Sequence, residues 1–492
     1  MHTSESVPTA PPQKSGLLYW AQRAVEECDN ASRNFAADPV HDLRVAIRRC
    51  RSMADGFLSV DPDPAWKQMK RMGKPLFAAL GELRDVQVMM EWIDKLSHPE
   101  NPARPILLLE LQVRENALKA AAQEALASFD RKHWLSLNAK LAERAEKITL
   151  DGTIFQVLAL ERWNDARVLH RQALRNRSAT AYHQLRIGIK RLRYTVENFL
   201  PTLHEKWSKD VRDLQDALGE VHDFDVLWAL LQSHRELTPQ VRVEWHAILQ
   251  AERKKRLALY RERMVGPRSL WHVWRAALPS GEALERASIE KLRTWASFLD
   301  PQFEHATRVA SLAVRLFDGL TEHKVLQEDR KQRSILEAAA LMHEVGCSKQ
   351  ENGHKKRAFR MLRKLSPPPG WSVQDMVAVA IIARYHRGAV APVTHAMFTG
   401  IPAKSRTQLL RLAGILRLAN ALDYAMHAQD GLSLLTSGNG TMTIAVDNLR
   451  PRIGPEGERL ARAKYLLEAS SGLTIRLESK ARLAASHVSK IN

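Results

Sequence analysis

Two stretches of this chain repeat one pattern of charge: His41-Asp-Leu-Arg44-Val-Ala-Ile-Arg48-Arg49-Cys-Arg51 and His183-Gln-Leu-Arg186-Ile-Gly-Ile-Lys190-Arg191-Leu-Arg193. At 100° per residue, the offsets of the histidine and the three cations fall within about 80° of one helix face. Another face is apolar, with Leu185, Ile189, Leu192, Val196 and Phe199 in the second copy and Leu43, Ile47 and Cys50 in the first. Such a helix docks on a core through one side and presents a row of cations on another.

A second motif follows each stripe in the same order. Gly81-Glu-Leu-Arg84-Asp85-Val-Gln87-Val88 comes after the first, and Gly219-Glu-Val-His222-Asp223-Phe-Asp225-Val226 after the second. The spacings between copies, 142 and 138 residues, are nearly equal, so the repeat unit is a whole subdomain rather than a short solenoid repeat. The periodicity predicts helices over about 16–36, 39–58, 66–95 and 105–147, then about 155–174, 178–200, 204–234 and 240–264, with Pro75 kinking the third. Lys67, Arg71, Lys74, Gly81 and Asp85 share one face of that third helix, as do Lys209, Arg212, Asp216, Gly219 and Asp223 of its counterpart. A glycine inside a helix costs about 1 kcal/mol relative to alanine, so the matched pair predicts a close approach there.

The formal charge of +19 implies affinity for polyanions. It is not concentrated where the stripes are: residues 1–280 hold 43 Lys and Arg against 35 Asp and Glu, and residues 281–492 hold 31 against 20. Arrangement, not total charge, singles out the stripes. Three cysteines, Cys28, Cys50 and Cys347, lack metal-ligand spacing and point to a reducing compartment. Residues 1–15 read as a disordered tail, and no run of about 18 apolar residues occurs, so a cytoplasmic location and no membrane partner are expected.

These residues carry a resemblance. The paired His-x-x-Arg-x-x-x-Arg/Lys-Arg-x-Arg helices, each followed by Gly-x-x-Arg/His-Asp, resemble the CHAD domain, the conserved histidine α-helical domain, over residues 16–278 with halves at about 16–150 and 154–278. The resemblance implies two pseudo-symmetric four-helix bundles whose basic inner faces form a channel for inorganic polyphosphate. Carried over, its residues are His41, Arg44, Arg48, Arg51, Arg71, Lys74 and Arg84, with His183, Arg186, Lys190, Arg193, Lys209 and Arg212. The chain departs from the family pattern at His222 and at Gln87. A row of guanidinium and ammonium groups suits a polymer with about one negative charge per phosphate, arginine adding bidentate contacts. Aromatic side chains for stacking bases are lacking on the motif faces, so nucleic acid is not expected as the main ligand; Trp66 and Trp207 are expected in bundle cores. No cofactor is required for this binding.

Residues 279–289 read as a linker to a second helical region over 290–492. Its markers are His305, then Ala340-Leu-Met-His343-Glu344-Val-Gly346, Ala383-Arg384-Tyr385-His386-Arg387 and Leu416-Arg417-Leu-Ala-Asn420-Ala-Leu-Asp423. Imidazole and carboxylate groups dispersed over about 120 residues can converge on a divalent metal, manganese, magnesium, iron or zinc, when their helices pack. In order and context they resemble the HD superfamily, specifically the HD-like C-terminal domain of exopolyphosphatase and guanosine pentaphosphate phosphohydrolase. By motif His305, His343, Glu344 and Asp423 occupy the metal-ligand positions, with Glu344 standing where the family has aspartate. The resemblance assigns hydrolysis in that family to an actin-like ATPase-fold domain, for which no segment here has glycine-rich phosphate loops; nor is there a nucleotide loop or a triphosphate-tunnel Glu-x-Glu-x-Lys run. The expectation is therefore a mainly α protein: a CHAD domain, then an all-helical HD-like domain with a small α+β cap (a hairpin of 432–435 with 441–446 around Ser437-Gly438-Asn439-Gly440, a helix over 456–469 and a strand near 473–477). It is expected to bind polyphosphate, the HD-like part aiding binding or homodimerisation, with association to polyphosphate granules. The alternative expectation is a metal-dependent phosphohydrolase acting on polyphosphate or a phosphorylated nucleotide. Lys355, Lys356, Arg357, Arg360, Arg363 and Lys364 form a further basic cluster that can extend a polyphosphate path.

Overall fold

A computed structural model describes residues 16–234, 236–348, 352–390, 396–425, 432–437, 440–447 and 455–480. The expected N-terminal tail and residues 438–439 of the hairpin turn lie outside them. The chain divides into two compact units, residues 1–280 and 281–492.

Unit 1 is helical throughout. Its first half comprises α1 (Leu17–Ala31), α2 (Ala37–Phe57), α3 (Ala65–Met72), α4 (Lys74–Leu96), α5 (Ala103–Ala127) and α6 (Arg131–Ala145). Its second comprises α7 (Thr153–Asn176), α8 (Ala179–Phe199), α9 (Pro201–Ser233), α10 (Pro239–Met264) and α11 (Leu270–Ala276). The helix expected over 66–95 is broken rather than kinked. Gly73 caps α3, its N–H reaching the Met69 carbonyl, and Pro75 sits in the first turn of α4, where its missing N–H has no helical partner to lose. Its counterpart α9 lacks that Gly-Lys-Pro and runs unbroken for 33 residues. The helix expected over 105–147 likewise divides, Asp130 capping α6 through the His133 N–H.

The internal repeat is visible in the packing. Trp134 of α6 donates its indole N–H to the Ala21 carbonyl of α1, while Trp271 of α11 accepts at its carbonyl from Trp163 of α7. Trp66 and Trp207 are buried. The halves join in two places: α2 packs on α8, and a shared core of Val86, Met89, Trp92 and Leu107 with Phe224, Leu227, Val241 and Trp245 links α4 and α5 to α9 and α10.

Unit 2 begins with α12 (Gly281–Ser297), so residues 281–289, expected as linker, form the first half of a helix that buries Ala287 and Ile289. It continues through α13 (Phe303–Glu322), α14 (Arg330–Leu341), α15 (His354–Leu362), α16 (Val373–Arg384) and α17 (Ala403–Ala425), around one core. The α+β cap follows: β1 (Leu432–Ser437), β2 (Thr441–Val446), α18 (Pro455–Ser471) and β3 (Thr474–Ser479). β1 and β2 pair antiparallel, Leu432 opposite Val446, and β3 returns parallel to β2 after the α18 crossover. No helix among the described residues is long and apolar enough to cross a membrane.

Candidate functional site

In unit 1 the apolar stripes dock as their periodicity requires, with Leu43, Ile47, Leu185, Ile189 and Leu192 all fully buried. That leaves the cations of α2 and α8 beside one another. Arg44, Arg48, Arg51, Arg186, Lys190 and Arg193 are each half-buried, His41 is exposed and His183 half-buried. The central four are close enough to act on one another's charge. Burial drives the Lys190 ammonium down to about 7, helped by Arg186 of its own helix and by Arg48 and Arg44 of the other copy; Asp85 alone opposes this. Arg44 is depressed too, chiefly by burial, with Arg48 and Arg84 adding to it against Asp85. Among the described residues, Arg44, Arg48, Arg51, Arg186 and Lys190 have no carboxylate within ion-pair distance, whereas Arg193 pairs with Glu197 at 3.6 Å and Arg84 with Glu91 at 2.8 Å.

Aromatic rings and backbone oxygens hold the guanidinium groups instead. Arg44 lies 4.9 Å and Arg51 5.2 Å from the centre of the Phe77 ring, and Arg48 5.1 Å from that of Tyr194. Arg44 also donates to the Phe77 carbonyl at 3.4 Å, and Arg51 to that of Lys70. Among the described residues the buried Nε atoms of Arg48 and Arg186 have no hydrogen-bond partner. The matched glycines face matched arginines: a Cβ on Gly81 would lie 2.6 Å from Arg44 Nη1, and one on Gly219 would lie 3.9 Å from Arg186 Nε. The close approach expected at these glycines is thus made by an arginine, tightly in the first copy only.

Around this centre, His183 and His222 meet through their Nδ1 atoms at 3.3 Å, and burial with Arg186, His183 and Lys190 drives the His222 imidazole down to about 4. Asp223 is pushed up to about 6 by burial, against the pull of Arg186 and the Trp92 N–H. Arg71, Lys74, Lys209 and Arg212 are exposed; Arg71 and Lys74 lie on separate helices because of the Gly73 break.

In unit 2, His343 and His386 each follow the end of a helix, α14 and α16. Each ring donates Nδ1–H to the carbonyl three residues back, Ala340 at 2.6 Å and Ala383 at 2.7 Å. That fixes the tautomer and leaves each buried Nε2 without a hydrogen-bond partner among the described residues. Both approach Glu344 Oε1, at 3.8 Å and 3.5 Å. Arg387 donates to the same oxygen at 2.9 Å, while His354 and Cys347 lie 3.2 Å from Oε2. Burial pushes the His343 imidazole down to about 3. Burial would raise the Glu344 carboxyl, but its surroundings, with the permanently charged Arg387 bonded to Oε1, hold the group ionised, well below the usual range.

Of the four expected metal ligands, His305, His343 and Glu344 come together, with one donor atom from each inside 4.8 Å of the others. The neutral His343 imidazole and the ionised Glu344 carboxylate suit a divalent cation in type and spacing, whereas His305 would have to release Asp423 or Asn420 to offer a ring nitrogen. Asp423 lies against His305 Nδ1 at 2.7 Å but does not join this group: Arg308 holds both its oxygens, at 2.8 and 3.0 Å, and Asn420 occupies His305 Nε2. His386 and Arg387 belong to a motif that marked this unit in the sequence, but neither they nor His354 were among the expected metal ligands. The available signal was the twin Ala-x-x-His at Ala340–His343 and Ala383–His386.

Fold and site together define an internally duplicated helical protein with a cation-lined centre, joined to a second unit with a buried histidine–carboxylate cluster. The chain carries a CHAD domain over residues 21–232 and a Ppx/GppA phosphatase, domain III, over residues 286–444. This pair of domains gives it a polyphosphate-related function. Among solved structures it is similar to the CHAD domain from the plant Ricinus communis, at 24% identity over 53% of this chain and 88% of that one, with a TM-score of 0.37. It is also similar to PptA from Streptomyces chartreusis, at 17% identity over 50% of this chain and 95% of that one, with a TM-score of 0.38.

Proposed function

We propose that unit 1 binds inorganic polyphosphate along the paired stripes of α2 and α8. One observation carries this reading: Arg44, Arg48, Arg186 and Lys190 are half-buried side by side, with no carboxylate in ion-pair contact among the described residues. Burying like charges together costs free energy unless counter-charge arrives. A flexible polyanion supplies one charge per phosphate and several acceptors for each guanidinium. The exposed Arg71, Lys74, Lys209 and Arg212, with His41 and His183, extend the path, while Arg51, Arg84 and Arg193 are partly engaged by protein groups. The test is calorimetric titration with long-chain polyphosphate before and after changing Arg44, Arg48, Arg186 and Lys190 to glutamate. Binding is expected to disappear, and wild-type affinity to fall steeply with salt. Unchanged affinity overturns the reading.

A second reading is favoured by the unpartnered Nε2 of His343 beside Glu344. A divalent ion would be held by His305, His343 and Glu344, and a bound ion of this kind supplies Lewis-acid polarisation and a water of lowered pKa. The protein's part is to keep the His343 imidazole neutral, to fix its tautomer through the Ala340 carbonyl, and to hold Glu344 ionised. Metal content of the purified chain, with phosphate release from polyphosphate in manganese or magnesium, tests it; release that survives His343→Ala refutes it.

A further inference from the structure

Glu344 divides its two oxygens between different neighbours. Arg387 claims Oε1 at 2.9 Å, while Oε2 faces the Cys347 thiol and the His354 ring, each at 3.2 Å. A carboxylate oxygen, a sulfur and an imidazole nitrogen thus converge, all within 4.8 Å of one another. We propose that Glu344 Oε2, Cys347 Sγ and His354 Nε2 form a binding site for a thiophilic divalent cation of the zinc class, offset from the position that His305, His343 and Asp423 would define.

The distances fit such an ion. On tetrahedral zinc, with bonds of about 2.0 Å to oxygen and nitrogen and about 2.3 Å to sulfur, neighbouring donors stand about 3.3 Å (oxygen to nitrogen) and about 3.5 Å (oxygen to sulfur) apart. Both contacts of Oε2 are already near that separation, so only the sulfur and the ring nitrogen need to approach each other. A fourth donor is at hand in His386. It is fully buried, its Nε2 has no hydrogen-bond partner among the described residues, and it points at the same carboxylate, 3.5 Å from Oε1. Sulfur beside imidazole selects zinc over magnesium or manganese, which favour oxygen ligands. Burial and the adjoining Glu344 keep the Cys347 thiol protonated, so an ion that binds here displaces the Sγ proton to solvent.

Local structure places all three donors. Glu344 and Cys347 lie three residues apart across the 3-10 turn Val345–Ser348, closed by the Cys347 N–H on the Glu344 carbonyl at 2.8 Å. At that period, side chains three apart stand one above the other. His354 opens α15, and Gly346 is what lets that helix end come close: a Cβ there would overlap the His354 carbonyl and crowd the Ala358 backbone nitrogen. Arg357 fastens the approach by donating to the Gly346 and Asn352 carbonyls, both at 2.9 Å. The position expected from motif order is instead taken by protein groups. Arg308 holds both oxygens of Asp423, while Asp423 and Asn420 engage both nitrogens of His305. Spacing among the three cysteines hides the site, because the partners of Cys347 are a glutamate and a histidine.

The site shares only Glu344 with the second reading of unit 2 and no residue with the reading of unit 1, so it stands or falls by itself. The probe is cobalt(II), titrated into the full chain while the absorption spectrum is recorded, then displaced with zinc. One cobalt per chain is expected, with the intense near-ultraviolet band of thiolate-to-cobalt charge transfer, and zinc should bleach it. Cys347→Ser should remove the band. Cys347→Ser and His354→Gln should each weaken cobalt binding by no less than the roughly tenfold that loss of an outer hydrogen-bond partner costs a metal site, with the melting transition checked in each variant. His305→Gln should leave band and affinity as they are. A band that survives Cys347→Ser, or no cobalt binding at all, overturns the proposal. Cobalt that binds without the band and is lost in His305→Gln also overturns it, and places the ion with His305, His343 and Glu344 as the second reading has it.

Discussion

If polyphosphate fills the space beside Lys190, it must return a proton to that side chain. In the free protein the ammonium is depressed from 10.5 to about 7 by burial and by Arg186, Arg48 and Arg44. A polyanion laid against these groups offsets the neighbouring cations and supplies counter-charge to the buried ammonium, with the ordinary value as the upper limit, so binding above neutrality takes up a proton. With a free value of about 7 and a bound value near 10.5, uptake at pH 8.5 is about 0.95 proton per site and at pH 6 about 0.1. The affinity then falls about 50-fold between pH 7 and 9, or roughly 2.3 kcal/mol. The sign follows from the free protein binding fewer protons than the complex, which makes high pH oppose binding. Calorimetry at pH 8.5 in two buffers of different ionisation enthalpy measures the uptake directly. Lys190→Met should abolish it while leaving the arginine contacts in place. Wild-type binding at pH 8.5 with no proton uptake refutes the reasoning, because Lys190 would then lie outside the bound polymer's field.

Two further outcomes follow from single residues. Gly219→Ala should raise stability by about 0.5–1 kcal/mol without changing polyphosphate affinity, since a Cβ there meets nothing closer than 3.9 Å; Gly81→Ala should displace Arg44 from the Phe77 ring and weaken binding, so equal effects in denaturation and titration experiments would contradict the asymmetry. His170 is buried, bonded to the Tyr260 hydroxyl at 2.7 Å, and pushed down to about 4 chiefly by burial, with Arg167 and Arg171 adding to it. Its folded value is below its unfolded 6.5, so the unfolded chain binds the extra proton between the two. Stability should therefore fall as pH drops from about 6.5 to 4, by up to roughly 3 kcal/mol from this group. Urea titrations across that window should show a shallower slope for His170→Gln.

Helicity, the duplication and the identity of the stripe cations were legible in the sequence because each depends on local periodicity or on motif order. The apolar spacing of Leu185, Ile189 and Leu192 dictates which face of α8 is buried, and therefore which face carries Arg186 and Lys190. The break at Gly73 was also locally encoded, by a glycine two residues before a proline that fits a helix start better than a helix interior.

Other features depended on residues distant in the chain. Packing of α2 on α8 decided that Arg44 and Arg48 share a field with Arg186 and Lys190, and that among the described residues Asp85 reaches them only through that field and not by ion-pair contact. The same holds in unit 2. Motif order named His305, His343, Glu344 and Asp423 as one set, yet Arg308 claims Asp423, while His386 and His354 arrive at Glu344 from other helices. Sequence determined which charges the protein owns and on which helical face each lies. Tertiary structure decided which are left uncompensated, because Coulomb interactions act through space between groups that the chain separates by more than 100 residues.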